Sequence, residues 1–325
     1  MNGFSERIER WAFRHPLRVG GISVAVLAVR VAQRAAAVRA MGLAAEMTYY
    51  ALLSFFPLIG ALGSSLGFLE RLVGTQYTQR MEDAILVALE VVFSPKVTAG
   101  VMAPLVAGLL RVQRTRFAIG SFLVTLFFGS RIFRSAIDTL DSTYRVAERR
   151  SVLALWGLGL LFALSAVVVA AVVTTMVVVG PLLGGGRAIA SLVGLGGAFE
   201  WTWALVRWPI VFAIATGFLS LLYHAGPNAR TTWRGSLPGA LFGMIALVIV
   251  ATGFRLYIAM AGLQSPTIAN ADDAVALVAH TLGALFAILL WIWLSATVML
   301  TGGIVNAELA RLRGEPPVER TRHHL

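Results

Sequence analysis

The run from Ser151 to Leu183 contains no charged residue, and it constrains the fold more than any other feature of the chain. A helix needs roughly 20 residues to cross about 30 Å of hydrocarbon, so a run of this length predicts a transmembrane helix. Charged residues make up only 13% of the whole chain, whereas soluble domains contain about 25%. The sequence therefore predicts an all-α integral membrane protein with several spans.

Six stretches are long and apolar enough to be membrane spans. They are residues 43–68, 117–138, 151–179, 201–223, 235–258 and 276–302. The second is the weakest, because only residues 117–130 separate the flanking arginines, although arginine snorkelling can extend it. Basic residues concentrate in the first forty residues, in the short loops 139–150 and 224–234, and in the tail. The positive-inside rule then predicts that both termini face the cytoplasm.

The net charge of +11 is explained by the same rule, so no nucleic-acid partner is predicted. We divide the chain into a cytoplasmic or interfacial amphipathic segment (1–40), a six-helix transmembrane domain (41–310) and a disordered cytoplasmic tail (311–325). Residues 70–115 are predicted to form an external helical hairpin between the first two spans, on the opposite side from the termini.

The segment at residues 1–40 is amphipathic if helical. Its apolar side chains share one face, and its polar side chains share the other: Val24, Leu27, Val31, Ala35 and Val38 against Arg30, Gln33 and Arg34. This pattern favours a helix lying in the membrane interface. A cleavable signal peptide is the alternative, because the segment also has a basic start and an apolar run.

Five charged residues form one stripe on the helix that follows the uncharged run 117–130. They are Arg131, Arg134, Asp138, Asp141 and Arg145, which fall within about 80° of one another at 100° per residue. Charge at this depth is costly and faces protein, water or a lipid headgroup. We predict a polar pathway or headgroup site in which arginine holds a phosphate or carboxylate through two hydrogen bonds.

A purely structural interpretation of the stripe is the alternative. Arg134 with Asp138, and Asp141 with Arg145, are spaced four residues apart and can compensate each other on one helix. The lower half would then be a solvated cytoplasmic extension of the helix.

Several residues outside the stripe are candidates for the same pathway. Glu46, near the start of the first span, is a counter-charge or proton carrier, or else an interfacial carboxylate favoured by the helix dipole. Tyr50 lines a cavity or belongs to an aromatic belt. Pro57 predicts a kink in the first span. The Gly235-x-x-x-Gly239 spacing allows close packing between helices.

No catalytic residue, metal site or cofactor is predicted. The chain has no cysteine, and its five histidines have no carboxylates at metal-ligand spacing. It also lacks a phosphate-binding G-x-x-x-x-G-K-[ST] loop and an H-E-x-x-H motif.

Four separated segments resemble the YihY/BrkB family of bacterial inner-membrane proteins. They are AAEMTYYALLSFFPL (44–58), RSAIDTLDSTYRV (134–146), LLYHAGPN (221–228) with the following GALFGMIALVIVATGFRLYIA (239–259), and LLWIWLSATVMLTGGIVNAEL (289–309). The resemblance implies a six-helix, multi-pass protein of the bacterial inner membrane, with Pro227 in a loop. It also brings an old ribonuclease label, which we reject because the chain shows no metal cluster and no acid–base pair.

The chain departs from the family pattern at three places, one of which is Ala279-His280, where the family often has a Tyr-Gly pair nearby. The family often has asparagine where Asp141 stands, and its Gly-Ala-Glu near the end of the last span appears here as Gly302-Gly303-Ile304. Any role of that glutamate does not transfer, and Glu308, one turn further on, is only a candidate substitute.

The sequence favours a transporter or flippase-like carrier of an anionic amphiphile, with membrane lipids as partners and a lipid as a possible substrate. Arg131 and Arg134 would bind the anionic group, Asp138 would hold one arginine ready, and Glu46 would supply counter-charge. A non-transporting scaffold that organises envelope proteins or lipids is the alternative, with the stripe as its docking surface. An intramembrane enzyme ranks third, because no nucleophile with a neighbouring base is found.

Overall fold

A computed structural model describes residues 18–19, 22–73, 86, 103, 115–179, 197–260, 273–315 and 318–319. These residues form seven long or medium helices. They are α1 (Val24–Ala37), α2 (Ala40–Val73), α3 (Thr115–Tyr144), α4 (Val152–Thr174), α5 (Gly197–Ala225), α6 (Trp233–Met260) and α7 (Asp273–Leu312), and α4 continues as a π-helical turn over Thr175–Val179. The two antiparallel strand pairs are β1 (Arg18–Val19) with β2 (Ile22–Ser23), and β3 (Ala229–Arg230) with β4 (Val318–Glu319).

Four helical segments of the described residues are long and apolar enough to cross a membrane. They are Val152–Val177, Leu205–Ala225, Trp233–Met260 and Leu285–Leu312. They correspond to the third to sixth predicted spans, so the chain is a helical membrane protein. The first two predicted spans fall on α2 and α3, which are 34 and 30 residues long but are not among those four. The count of six spans and the orientation of the termini stay predictions.

Parts of the predicted domain plan lie outside the described residues. This holds for residues 1–17 and for most of the predicted hairpin at 70–115. The tail differs in part from the prediction, because α7 continues to Leu312 and Val318–Glu319 pairs with the loop after α5. At these positions the predicted disordered tail takes part in ordered structure.

Helix α1 buries most of the apolar face that the sequence predicts, with Leu27, Val31, Ala35 and Val38 packed and Val24 exposed. Ser23 caps its first turn by accepting a hydrogen bond from the Val26 N–H. Val31 is buried together with Ile304 and Val305 of α7. The apolar face of α1 therefore packs on protein, and the pattern alone did not distinguish this from a face buried in lipid.

The chain divides into two compact units, which are described separately. One comprises residues 1–44, 133–248 and 296–325, and the other residues 45–132 and 249–295. In the first unit the core joins the C-terminal half of α3 to α4, α5, the start of α6 and the end of α7, with fully buried Ile137, Leu222 and Tyr223. The Tyr223 hydroxyl donates to the Met299 carbonyl at 2.5 Å, which fixes α5 against α7.

Helices α6 and α7 approach closely through glycine. A Cβ at Gly239 would overlap the Gly302 carbonyl oxygen. The Asn306 side chain completes the contact by accepting from the Gly239 N–H at 2.6 Å and donating to the Ser236 carbonyl at 2.9 Å. The close approach allowed by the Gly235-x-x-x-Gly239 spacing is present at its second glycine.

Candidate anion-binding cavity

Arg131, the first residue of the stripe, is held by a tyrosine in the second unit. Its Nη2 donates to the Tyr50 hydroxyl at 2.6 Å, and its guanidinium lies 4.9 Å from the centre of the Tyr50 ring. Both side chains are half-buried, whereas Glu46, one turn earlier on α2, is exposed. Pro57 lies inside α2 and removes one backbone hydrogen bond from that helix.

Arg134 belongs to the first unit and also rests on an aromatic ring. Its guanidinium lies 4.5 Å from the centre of the Trp156 ring on α4, a cation–π contact. Its Nε is buried and has no hydrogen-bond acceptor among the described residues. Asp138, one turn further along α3, is exposed. The Arg134 guanidinium is therefore a half-buried cation that packs against α4.

Asp141 does not form the predicted pair with Arg145. The α-helix ends at Tyr144, and Arg145 adopts a left-handed backbone with φ of 57°, so its side chain leaves the face of the stripe. Asp141 is buried instead, where it accepts from the Asn228 N–H at 2.6 Å and lies 3.6 Å from the Arg150 guanidinium. The sequence spacing failed here because it assumes that the helix continues.

The segment after α3 is tied to the loop after α5 by a second carboxylate. Arg150 binds Glu148 with Nη2 to Oε2 at 2.6 Å and also donates to the Gly226 carbonyl at 2.8 Å. Pro227 is fully buried in this loop. Burial raises the pKa of Asp141, which lies beyond the predicted span, to about 7. Burial acts in the same direction on Glu148, but the hydrogen bonds from Arg150 outweigh it and lower its pKa.

A cavity of about 390 Å³ lies in the first unit. Three elements line it, namely α1, the residue after α3 and the last turns of α7. The lining residues are Arg30, Gln33, Arg34, Ala37, Arg145, Glu308 and Arg311. Gln33, Ala37 and Arg145 are exposed, so the cavity opens at the surface. Four arginines and one glutamate give the lining a net charge of +3.

Two of these arginines are fixed by the last carbonyl groups of α3. Arg34 donates from Nε to the Thr143 carbonyl at 3.3 Å and from Nη2 to the Ser142 carbonyl. Arg311 donates to the same Thr143 carbonyl at 3.2 Å. The carbonyls at a helix end have no partner within the helix and carry its negative dipole end, so both guanidinium groups are favourably placed.

One carboxylate balances part of this charge. Glu308 is buried and binds Arg311 Nη1 at 2.9 Å. Burial, and then the neighbouring charges of Arg145 and Arg311, lower the pKa of Arg34, with Glu308 acting in the opposite direction. The arrangement stores like-charge repulsion that a bound anion would relieve.

The sequence prediction and the cavity overlap at one residue. Arg145 is the only member of the stripe that lines the cavity. Arg30 and Arg34 belong to the polar face of α1, where an exposed or interfacial position was predicted. For Glu308 the sequence suggests only a candidate substitute for the family glutamate. Because α1 and α7 lie at opposite ends of the chain, periodicity within either helix does not indicate that their arginines meet.

Among the residues that the structure describes, no group of three or more histidine, aspartate or glutamate side chains could hold a metal ion. The geometry of the cavity is that of an anion site, with forked cationic donors presented from three elements. It offers positions for an acidic group but no described nucleophile with a neighbouring base.

The chain matches the family model described as "Virulence factor BrkB" over residues 31–323. It is 24% identical over 272 residues to the "Putative ribonuclease-like protein YfkH" of Bacillus subtilis, covering 84% of this chain and 90% of that protein. It is 30% identical over 141 residues to "UPF0761 membrane protein azo3165" of Azoarcus sp., covering 41% and 32%. The third relative is "UPF0761 membrane protein PSHAa0171" of Pseudoalteromonas translucida, 28% identical over 205 residues, covering 60% and 58%. No solved structure matches.

Proposed function

We propose that this chain, which belongs to the BrkB family of membrane proteins, is a carrier or flippase-like protein for an anionic amphiphile in the bacterial inner membrane. The observation that carries the proposal is the arginine-lined cavity of net charge +3. A site for an acidic headgroup has to present cationic donors where a membrane helix leaves the hydrocarbon. The "ribonuclease-like" name of the Bacillus relative describes that protein, and this chain is proposed to be no enzyme.

The position of the cavity along α7 supports an amphiphile over a soluble anion. Glu308 and Arg311 stand in the last turns of Leu285–Leu312, an apolar segment long enough to cross a membrane. About 20 residues suffice for the hydrocarbon core, so this 28-residue segment reaches into the headgroup region at one end. An amphiphile would place its acidic group in the cavity and its tail along the apolar helices.

Arg134 supports a polar route that continues from the cavity. Asp141, Asp138 and Arg134 follow one another along α3 toward the uncharged run, all within the first unit. The buried Nε of Arg134 lacks a described acceptor. A passing acidic group would supply one. For Arg131 and Glu46 we keep the predicted roles of anion contact and counter-charge. The contact of Arg131 with Tyr50 is the structural observation that bears on this pair.

A second function is favoured by one specific observation. Arg34 and Arg311 already bind carbonyl groups of α3, so part of the basic cluster serves to hold helices together. In a non-transporting scaffold all the cavity arginines would serve to hold helices together. The open side of the cavity would then bind an envelope partner. The two functions differ in whether a lipid moves.

Lipid movement in vesicles tests the carrier. We expect vesicles with reconstituted protein to exchange a fluorescent anionic lipid between leaflets faster than vesicles without protein. The double variant Arg30→Gln with Arg145→Gly removes two cavity charges and leaves the α3 contacts of Arg34 and Arg311 intact. We expect it to slow the exchange roughly tenfold, the factor that corresponds to about 1.4 kcal/mol.

The control is Arg39→Gly, which removes an arginine outside the cavity and should leave the exchange rate unchanged. Exchange by the wild-type protein that is no faster than exchange by the double variant would contradict the carrier. An altered partner pull-down by the double variant, with no lipid exchange by any protein, would favour the scaffold.

A further inference from the structure

We infer that the arginine-lined cavity binds a phosphate monoester in its dianionic form. This inference deepens the proposed function by naming the acidic group, and it rests on that function only for the claim that the group belongs to a carried amphiphile. The names of the relatives assign no ligand to this part of the chain. Three properties of the cavity support the inference: the charge of its lining, its geometry and its volume.

The charge of the lining fits a dianion better than a monoanion. The net charge of +3 remains after Glu308 has balanced Arg311. A carboxylate or a phosphate diester would leave two uncompensated charges among half-buried arginines, whereas a monoester dianion leaves one. A phosphate monoester carries close to two negative charges above its second pKa of about 6.

The geometry of the lining fits a tetrahedral oxyanion. Arg30 and Arg34 come from α1, Arg145 follows the end of α3, and Arg311 comes from α7. Donors from three directions suit the three terminal oxygens of a phosphate monoester, whereas a planar carboxylate offers two oxygens in one plane. Arg34 and Arg311 are fixed beforehand by the α3 carbonyls, which lowers the entropic cost of holding a ligand.

The volume of the cavity leaves room for the group that is esterified to the phosphate. At about 390 Å³ it is in the range of small-molecule sites. An ion alone would leave most of this space to water. The opening beside Gln33 and Ala37, both exposed, gives the ester group a way out of the cavity.

The backbone of Arg145 allows a matched test of its side chain. The Val146 N–H binds the Asp141 carbonyl at 3.1 Å and the Arg145 N–H binds the Ser142 carbonyl at 3.2 Å. This is a Schellman motif, in which the left-handed residue is usually glycine. Arginine carries a conformational penalty there, with φ of 57°. Arg39 has the same left-handed backbone outside the cavity, so the conformation by itself does not indicate a ligand, and it makes Arg39 the matched control for Arg145.

Contacts between helices explain the positions of only two of the four arginines that line the cavity. Arg34 and Arg311 bind α3 carbonyls, but within the described residues Arg30 and Arg145 make no ion pair or side-chain hydrogen bond. Contacts that hold the helices together do not require Arg30 and Arg145. An anion gives both of them a partner.

The test uses one pair of matched glycine variants of the full-length protein. Arg145→Gly and Arg39→Gly each remove one arginine from a left-handed position, with φ of 57° and 56°, and glycine suits both backbones. Both variants should therefore fold and melt no lower than the wild-type protein. Of these two arginines, only Arg145 lines the cavity. The Arg39→Gly variant therefore controls for the loss of a charge and for the relief of backbone strain.

Binding of methyl phosphate is measured by calorimetry on the detergent-solubilised protein at pH 8. We expect wild-type protein and Arg39→Gly to bind it with similar affinity, and Arg145→Gly to bind it about 10- to 100-fold more weakly. Dimethyl phosphate and acetate, which are monoanions, should bind at least tenfold more weakly than methyl phosphate to the wild-type protein. Equal binding of methyl phosphate and dimethyl phosphate, equal affinities of the two glycine variants, or no binding would each overturn the inference.

A second measurement separates a lipid source from a free phosphate ester. Vesicles that contain a monoester phospholipid should compete with methyl phosphate, whereas vesicles of diester phospholipid alone should not. Competition by monoester vesicles supports a lipid ligand. Methyl phosphate binding without such competition keeps the phosphate site but counts against the carrier of an amphiphile. Lipid exchange in the absence of any methyl phosphate binding keeps the carrier and overturns the phosphate site.

Discussion

Replacing Gly239 with alanine is expected to destabilise the protein by about 3 kcal/mol or more. A Cβ at this position would overlap the Gly302 carbonyl oxygen and lie 2.5 Å from the Asn306 Cγ. A backbone oxygen cannot turn away as a flexible side chain does, so α6 and α7 would have to move apart. The shift would also weaken the hydrogen bond from the Gly239 N–H to Asn306, which is buried.

The control for this substitution is Gly253→Ala on the same helix. Among the described residues no atom lies within 4 Å of a Cβ at Gly253, so this alanine adds helix propensity without a clash there. Thermal denaturation in detergent measures both variants. We expect Gly239→Ala to melt several degrees below the wild-type protein and Gly253→Ala to melt at or above it. Equal melting temperatures would show that the helices do not meet closely at Gly239.

The helices from α4 onward could be predicted from sequence because each contains a long apolar run, the predicted span, with at most one charged residue. The predicted spans 151–179, 201–223 and 235–258 fall on α4 with its π-helical turn, α5 and α6, with boundaries that differ by a few residues. Burial in lipid depends on the composition of a segment, and composition is visible in the sequence. The strand pair that joins the tail to the loop after α5 has two residues on each side, too few to leave a pattern.

The candidate site could be predicted only in part. Arg145 is common to the stripe and the cavity, and the roles predicted for the other stripe residues stay predictions. No glycine marks the end of α3, so the sequence predicted a continuing helix and an Asp141–Arg145 pair. The other cavity arginines depend on how α1 and α7 pack, and that packing is a tertiary contact between distant segments.

The stability of the wild-type protein is expected to fall relative to Asp141→Asn as the pH rises from 5 to 8. The pKa of Asp141 is raised to about 7 in the folded protein by burial, and an unfolded aspartate has a pKa of about 3.9. The folded protein therefore keeps a proton that the unfolded chain has released. The contribution of this group is most favourable below the unfolded pKa and is lost as the pH rises through the folded pKa. Asparagine does not titrate, so the variant lacks this dependence.

The expected change in the stability difference is about 2 kcal/mol between pH 5 and pH 8. The amide side chain of the Asp141→Asn variant would keep an oxygen to accept from the Asn228 N–H, so the loop after α5 should stay in place. Asp141→Ala serves as the contrast, because it leaves that buried N–H without its acceptor and should lower the melting temperature at every pH. Melting curves of the three proteins at pH 5, 6, 7 and 8 measure the effect. A constant difference between wild-type protein and Asp141→Asn would show that Asp141 is ionised throughout this range, with Arg150 compensating its charge despite the burial.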